Sequence, residues 1–273
     1  MGSELFLCAT PIGNLDDMTF RAVEVLKSVD FIAAEDTRHT RKLLSHFDIH
    51  TPLVHYDENN KSTVGQKIIE RLLNGECAAC VTDAGTPAIS DPGADLVRLA
   101  VDNSIKIVPI PGACAAINAL ICSGLDTNGF TFVGFLPSKN HQKLLSDLKS
   151  RRETLIFYEA PHRLAKTLKI LFEAFGARRV TIARELTKLH EEFIRGRLGS
   201  ISIDEPRGEF VLVVEGAVET PVKEILDTDV LTVYNELTDG GVERKEAMRL
   251  TARRFALSRR DVYQLILKGL ETK

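Results

Sequence analysis

Short apolar, β-branched runs alternate along the chain with stretches whose apolar residues recur every three to four positions. The runs at residues 5–9, 31–34, 53–56, 78–82, 105–110, 131–135, 155–158, 180–183 and 210–214 predict strands. Between the first two, Ala22, Val25, Leu26 and Val29 fall at i, i+3, i+4 and i+7, the stripe of an amphipathic helix. Further helices are predicted over 40–47, 65–73, 94–101, 113–123, 141–149 and 163–175. This rhythm is that of an α/β chain. Turn formers crowd residues 122–129, between two strand-and-helix sets of similar size. The expected division is two α/β domains, 1–117 and 118–219, followed by a segment 220–273. Within the second domain, the run from Phe193 to Leu198 and the run at Phe210 flank a loop from Asp204 to Gly208, which predicts that the two pair antiparallel.

Charge changes the picture past Gly216. Residues 222–241 carry one Lys against five acids, whereas 242–268 carry eight Lys or Arg against three acids. A small helical appendage with a basic face follows. Gly240 and Gly241 separate its helices, and Ser258 is expected to cap the last one. Lys245, Arg249, Arg253 and Arg260 fall on helical spacing and, with Arg254, are the candidate nucleic-acid phosphate contacts; a solvated helix face is the alternative.

The 273 residues sum to a formal charge of only −3 and are 44% hydrophobic, which excludes a disordered or collagenous chain. The longest apolar stretch is interrupted by Pro111, Gly112, Asn118 and Gly124, short of the roughly 20 residues of a membrane helix. With no basic segment leading an apolar N-terminus, a cytoplasmic protein without a membrane partner is expected. Five cysteines do not make a disulfide framework. The C-x-x-C of Cys77 and Cys80 has no second half for zinc, so no metal site is expected.

Three loops stand at the C-terminal ends of predicted strands, where open α/β sheets place ligands: 9–14, 82–93 and 109–115. Their Gly and Pro residues let backbone approach a ligand, yet none is a phosphate loop or a dinucleotide fingerprint. Small residues from Ala113 to Ala116 suit a flat ligand held by main chain. Charged groups also bunch at strand ends, in 34–38, 158–163 and 184–192, where acid, base and cation together can orient a hydroxyl and hold phosphate.

The segments 10–14 (Thr-Pro-Ile-Gly-Asn), 33–40 (Ala-Ala-Glu-Asp-Thr-Arg-His-Thr), 83–87 with 90–93, 111–116, 157–163 (Phe-Tyr-Glu-Ala-Pro-His-Arg) and 183–188 resemble, in order and spacing, the small-subunit ribosomal RNA methyltransferase I family of the tetrapyrrole methylase superfamily. The resemblance runs closely over about residues 5–216. It implies a two-domain class III methyltransferase fold that binds S-adenosylmethionine between its domains, forms a homodimer, and methylates a cytidine ribose 2′-hydroxyl in the decoding centre of 16S rRNA. It further implies cofactor contacts from Ile12, Thr86, Pro87, Ile89, Ala115 and Ala116, and from Tyr158, Glu159, Ala183 and Val213. The carboxylates Glu35, Asp36, Asp83 and Glu185 are the candidates to take the hydroxyl proton. Arg38, Arg163, Arg184 and Lys188 are the candidate cations for substrate phosphates. Two other readings stand beside this one, a small-molecule methylase of the tetrapyrrole type and an RNA-binding assembly factor without turnover.

Overall fold

The computed structural model describes residues 3–218, 227–255 and 257–271. The chain divides into two compact units, Met1–Ala217 and Val218–Lys273.

In the first unit, β1 (Glu4–Cys8), β2 (Phe31–Ala34), β3 (Leu53–His55), β4 (Ala78–Val81) and β5 (Lys106–Ile110) form a parallel sheet in the order β3-β2-β4-β1-β5. Strands β2 and β4 are buried at every position, which is why Phe-Ile-Ala-Ala and Ala-Ala-Cys-Val are unbroken apolar runs. Alternate side chains serve opposite faces. Phe31 and Ala33 pack with Ile68, Leu72 and Leu96 of α3 (Lys61–Leu73) and α4 (Gly93–Asp102). Ile32 and Ala34 pack with Leu26 and Leu44 of α1 (Phe20–Ser28) and α2 (Thr37–His46). Connections leave β1 and β4 toward opposite edges and over opposite faces, so the crevice above these two adjacent strands is the topological switch point of the sheet.

The second sheet has the order β6-β7-β10-β8-β9, from β6 (Phe130–Phe135), β7 (Thr154–Glu159), β8 (Arg179–Arg184), β9 (Glu192–Arg197) and β10 (Phe210–Val214). Only β6 and β7 run parallel. One face packs on α6 (His141–Leu148) and α7 (Leu164–Phe175) through Leu145, Leu168, Leu171, Phe157 and Leu212. The other takes α5 (Ala115–Ser123) through Ala119, Leu120, Ile156 and Val213. The 117/118 boundary expected from sequence thus falls inside a helix that packs on the second sheet.

The predicted pairing of the Phe193 and Phe210 runs is not the one formed. Strand β9 pairs with β8 across a short connection, and β10 lies between β7 and β8. Burial explains the difference: all five residues of β10 are buried, as a central strand requires, whereas β9 carries Arg195 and Arg197 and is half-exposed, as an edge requires.

The second unit consists, among its described residues, of α8 (Asp227–Asp239), α9 (Arg244–Phe255) and α10 (Arg259–Glu271) around Val230, Ala252 and Val262. Ser258 does cap α10: its hydroxyl accepts the Asp261 N–H at 3.1 Å, and the Asp261 carboxylate accepts the Ser258 N–H at 3.2 Å, a reciprocal capping box.

Candidate functional site

The three loops singled out in the sequence converge on the switch point. Thr10 and Gly85 exchange backbone hydrogen bonds of 2.9 and 3.0 Å, and the Thr86 hydroxyl donates to the Ala113 carbonyl at 3.0 Å. Gly85 has a φ of +86°, and a Cβ there would lie 3.2 Å from the Ile12 side chain, so a larger residue would be strained and crowded. Asp91 gathers the turn that follows, accepting the N–H groups of Ala88, Ile89 and Gly93.

These loops and the ends of β6, β7 and β10 enclose a cavity of about 470 Å³. Of the expected cofactor contacts, Ile12, Thr86, Ile89, Ala115, Tyr158 and Glu159 line it. Ala116, Ala183 and Val213 do not; they are buried in the apolar cluster that packs α5 on the second sheet. Pro87 is buried in the turn and also off the lining. The Tyr158 hydroxyl accepts the Ala116 N–H at 3.3 Å, supplying the partner that Cys114, as N-cap, does not. Burial pushes the Tyr158 phenol up to about 12, so it stays protonated and can also donate. Phe135, which sequence reasoning missed, stands edge-on to Tyr158 with ring centres 5.7 Å apart. Its side chain is 53% exposed at the end of β6. Asp91, also missed, was signalled by the Ser-Asp-Pro-Gly turn ahead of α4.

The charged lining of this cavity is one-sided. It holds Glu35, Asp83, Asp91, Glu159 and Glu209, and no Lys, Arg or His among the described residues. Burial raises the pKa of Glu35, the Thr82 hydroxyl at 3.1 Å pulls it back, and the neighbouring Asp83 and Asp91 add to the rise. Glu159 is committed inward, accepting from the Ala160 N–H at 2.9 Å and the Thr167 hydroxyl at 2.5 Å.

A second cavity, also of about 470 Å³, shares the wall of Ile12, Asp83, Ala84 and Glu209. Its lining also carries His39, Lys42 and Lys188. Lys188 bridges Glu185 at 2.9 Å and Glu209 at 3.0 Å. Burial favours a neutral Glu185, but Lys188 and the Glu209 N–H outweigh it and hold the carboxyl below its ordinary range. A Cβ on Gly13 would come within 2.4 Å of the Lys188 side chain, so the first loop and the 185–188 loop meet only because residue 13 is glycine.

The remaining expected site residues stand apart from both cavities. Asp36 caps α2 and pairs with Arg38 at 3.1 Å, and these bonds lower its carboxyl to about 2. It reaches the site through its backbone, whose N–H donates to Asp83 at 3.1 Å. Arg163 is held inside the protein by the Leu136 carbonyl at 2.5 Å and by Glu159 at 3.5 Å. In the second unit Lys245, Arg253, Arg254 and Arg260 are exposed, while Arg249 pairs with Glu246 at 2.5 Å.

A switch-point cleft between a parallel and a mixed sheet agrees with the family model of tetrapyrrole (corrin/porphyrin) methylases, which matches residues 4–202. A diphthine synthase crystal structure superposes with a TM-score of 0.62 at 17% identity, over 78% of this chain and 90% of that one. A uroporphyrin-III C-methyltransferase from Thermus thermophilus, complexed with S-adenyl homocysteine, gives a TM-score of 0.55 at 15% identity, over 78% and 97%. Much closer in sequence is ribosomal RNA small subunit methyltransferase I of Bacillus subtilis, 49% identical over 95% of this chain and 92% of that protein. The enzyme of that name from Halalkalibacterium halodurans is 48% identical over 96% and 93%. The chain is a methyltransferase of the tetrapyrrole methylase fold and belongs to the ribosomal RNA small subunit methyltransferase I family.

Proposed function

We propose that the protein transfers a methyl group from S-adenosylmethionine to the ribose 2′-hydroxyl of a cytidine in the decoding centre of 16S rRNA, acting as a homodimer. The observation that carries this reading is the charged lining of the two adjoining cavities, carboxylates alone in the first and cations beside the shared carboxylates in the second. The acidic one, with Tyr158 and Phe135 on its wall, fits a flat aromatic group joined to cationic centres. When bound, S-adenosylmethionine supplies an electrophilic methyl on positively charged sulfur. Ile12, Thr86, Ile89 and Ala115 would hold its adenosyl part, and Glu35 and Asp91 its positive groups. Family membership supports the same assignment.

The residues at the shared wall have two tasks. They must orient the hydroxyl oxygen toward the first cavity, and something there must take its proton. Asp83 lines both cavities, and one of its oxygens is fixed by the Asp36 N–H. It is therefore the carboxylate we assign to that proton, with Glu35 behind it. Lys188 holds Glu185 and Glu209 in place beside it. The decisive experiment is transfer from methyl-labelled cofactor to small-subunit particles lacking the modification, followed by mapping of the labelled nucleotide. Label on one cytidine ribose is expected; label on a base, or none, would overturn the proposal.

A further inference from the structure

The second cavity has no counterpart among the expected site residues apart from Asp83, Ile12 and Lys188, yet it equals the first in volume, and where the first is lined by carboxylates alone it sets His39, Lys42 and Lys188 against the shared Asp83 and Glu209. Helix α2, which forms one side of it, carries Arg38, His39, Arg41, Lys42 and His46 without a single acid in its ten residues. In a chain of net charge −3 that is a local excess. Arg38 is balanced by the N-cap Asp36, and Lys188 across the cavity is balanced by two glutamates. His39 and Lys42 are exposed at the cavity and make no ion pair among the described residues. Being three apart on a helix, they lie on one face. Pro11, Leu15 and Leu43 add apolar surface to the same lining.

From this we infer that the second cavity receives the acceptor nucleotide, with its base or ribose against Leu15 and Leu43 and a flanking phosphate held by His39 and Lys42. The inference rests on the function proposed above and adds to it the place of entry and two phosphate-binding residues. Asp83 and Glu209 on the shared wall repel an anion, so the phosphate belongs at His39 and Lys42 on α2 and the ribose toward the wall. A nucleotide splayed from folded RNA presents this combination of a flat base and a compact anion next to its ribose.

The test uses the full chain, with Lys42→Ala, His39→Ala, the double variant and Lys42→Arg. Both side chains are exposed, so the variants should fold, which unchanged melting temperatures would verify. With unmodified small-subunit particles as substrate, Lys42→Ala should raise KM about tenfold, the effect of removing one charge-assisted hydrogen bond. Lys42→Arg should restore most of it. The slope of log KM against log salt should fall by roughly 0.7–0.9 for each phosphate that is no longer neutralised. Cofactor affinity by calorimetry should stay at the wild-type value. If the double variant keeps wild-type KM and salt slope while the wild-type enzyme methylates the particles, the inference is overturned and the proposed function stands. If cofactor affinity falls in parallel with KM, the residues act on the wrong cavity and the inference is again overturned. Failure of the wild-type enzyme itself to methylate the particles would remove the proposed function, and this inference with it.

Discussion

Ala115 and Ala116 are adjacent in sequence, yet the fold gives them different surroundings, and one substitution at each should separate binding from stability. Ala115 is half-buried on the wall of the acidic cavity. Ala116 is 4% exposed and packs with Ala119, Leu120, Ile156, Ala183 and Val213. Leucine adds three carbons at either position. At Ala116 those atoms have no space, and overpacking a core costs roughly 1–3 kcal/mol. In a domain of this size each kcal/mol lowers the melting temperature by about 2–4 °C. Ala116→Leu should therefore melt several degrees early while the cofactor site keeps its lining. At Ala115 the same atoms enter the cavity, leaving the fold intact and taking volume from the ligand. An equal energetic cost, expressed in binding, is a loss of roughly 5- to 150-fold in affinity. Differential scanning calorimetry and titration calorimetry with S-adenosylmethionine read the two effects separately. Wild-type affinity in Ala115→Leu, or lost binding with an unchanged melting temperature in Ala116→Leu, would refute the assignment of the two positions.

Glu35 supplies a pH-dependent test. Because its folded pKa is raised, chiefly by burial, its contribution to stability is present below the unfolded carboxylate pKa and is lost as pH rises through the folded value. Glu35→Gln without added cofactor should be more stable than wild type at about pH 7, and the difference should vanish toward about pH 3, where both are neutral; a gain that does not change with pH would count against the burial argument. In the second unit, replacing Arg253, Arg254 and Arg260 together by Glu should weaken rRNA binding and lower its salt slope by roughly 0.7–0.9 for each phosphate these arginines neutralise. Cofactor affinity should not move. An unchanged slope in filter binding would mean that these arginines form only a solvated helix face.

The strands were readable in the sequence because each is a short apolar run, and nearly all the observed boundaries lie within a residue or two of the predicted ones. What the local pattern could not specify was partnership. The runs at 192–197 and 210–214 are consecutive, but β10 is apolar at every position and so takes the sheet centre, while the arginines of β9 keep it at the edge. The candidate cavity was readable where a single segment carries it, as with the turn at Thr86 and the small residue at 115, whereas Ala116 beside it packs into the core. It was not where the cavity depends on several distant segments at once. Glu209 and Phe135 carry no local signature of a binding site, since each becomes a wall only when β10 and β6 are laid beside the first sheet's loops. At Arg163 the sequence neighbours suggest a phosphate contact, and the fold adds a partner that no local pattern could show, the Leu136 carbonyl 27 residues away, which accepts from the guanidinium.

Charge ties these observations together. Methyl transfer from a sulfonium to a hydroxyl moves one positive charge from the sulfur to a departing proton. A site for that reaction has to hold a cationic cofactor, which carboxylates on the sulfur side do, and to place a proton acceptor at the boundary with the hydroxyl. Distributing five carboxylates around one cavity and placing cations only beyond the shared wall meets the first need. We assign the second to Asp83, since it is on the boundary and one of its oxygens accepts the Asp36 N–H at 3.1 Å. Asp36 itself stays ionised through Arg38, so a pair outside both cavities keeps the α2 terminus, and with it the Asp83 carboxyl, in position. On this argument Arg38 acts on the reaction by orientation, without touching the nucleotide, whereas Lys42 four residues along the same helix acts by contact.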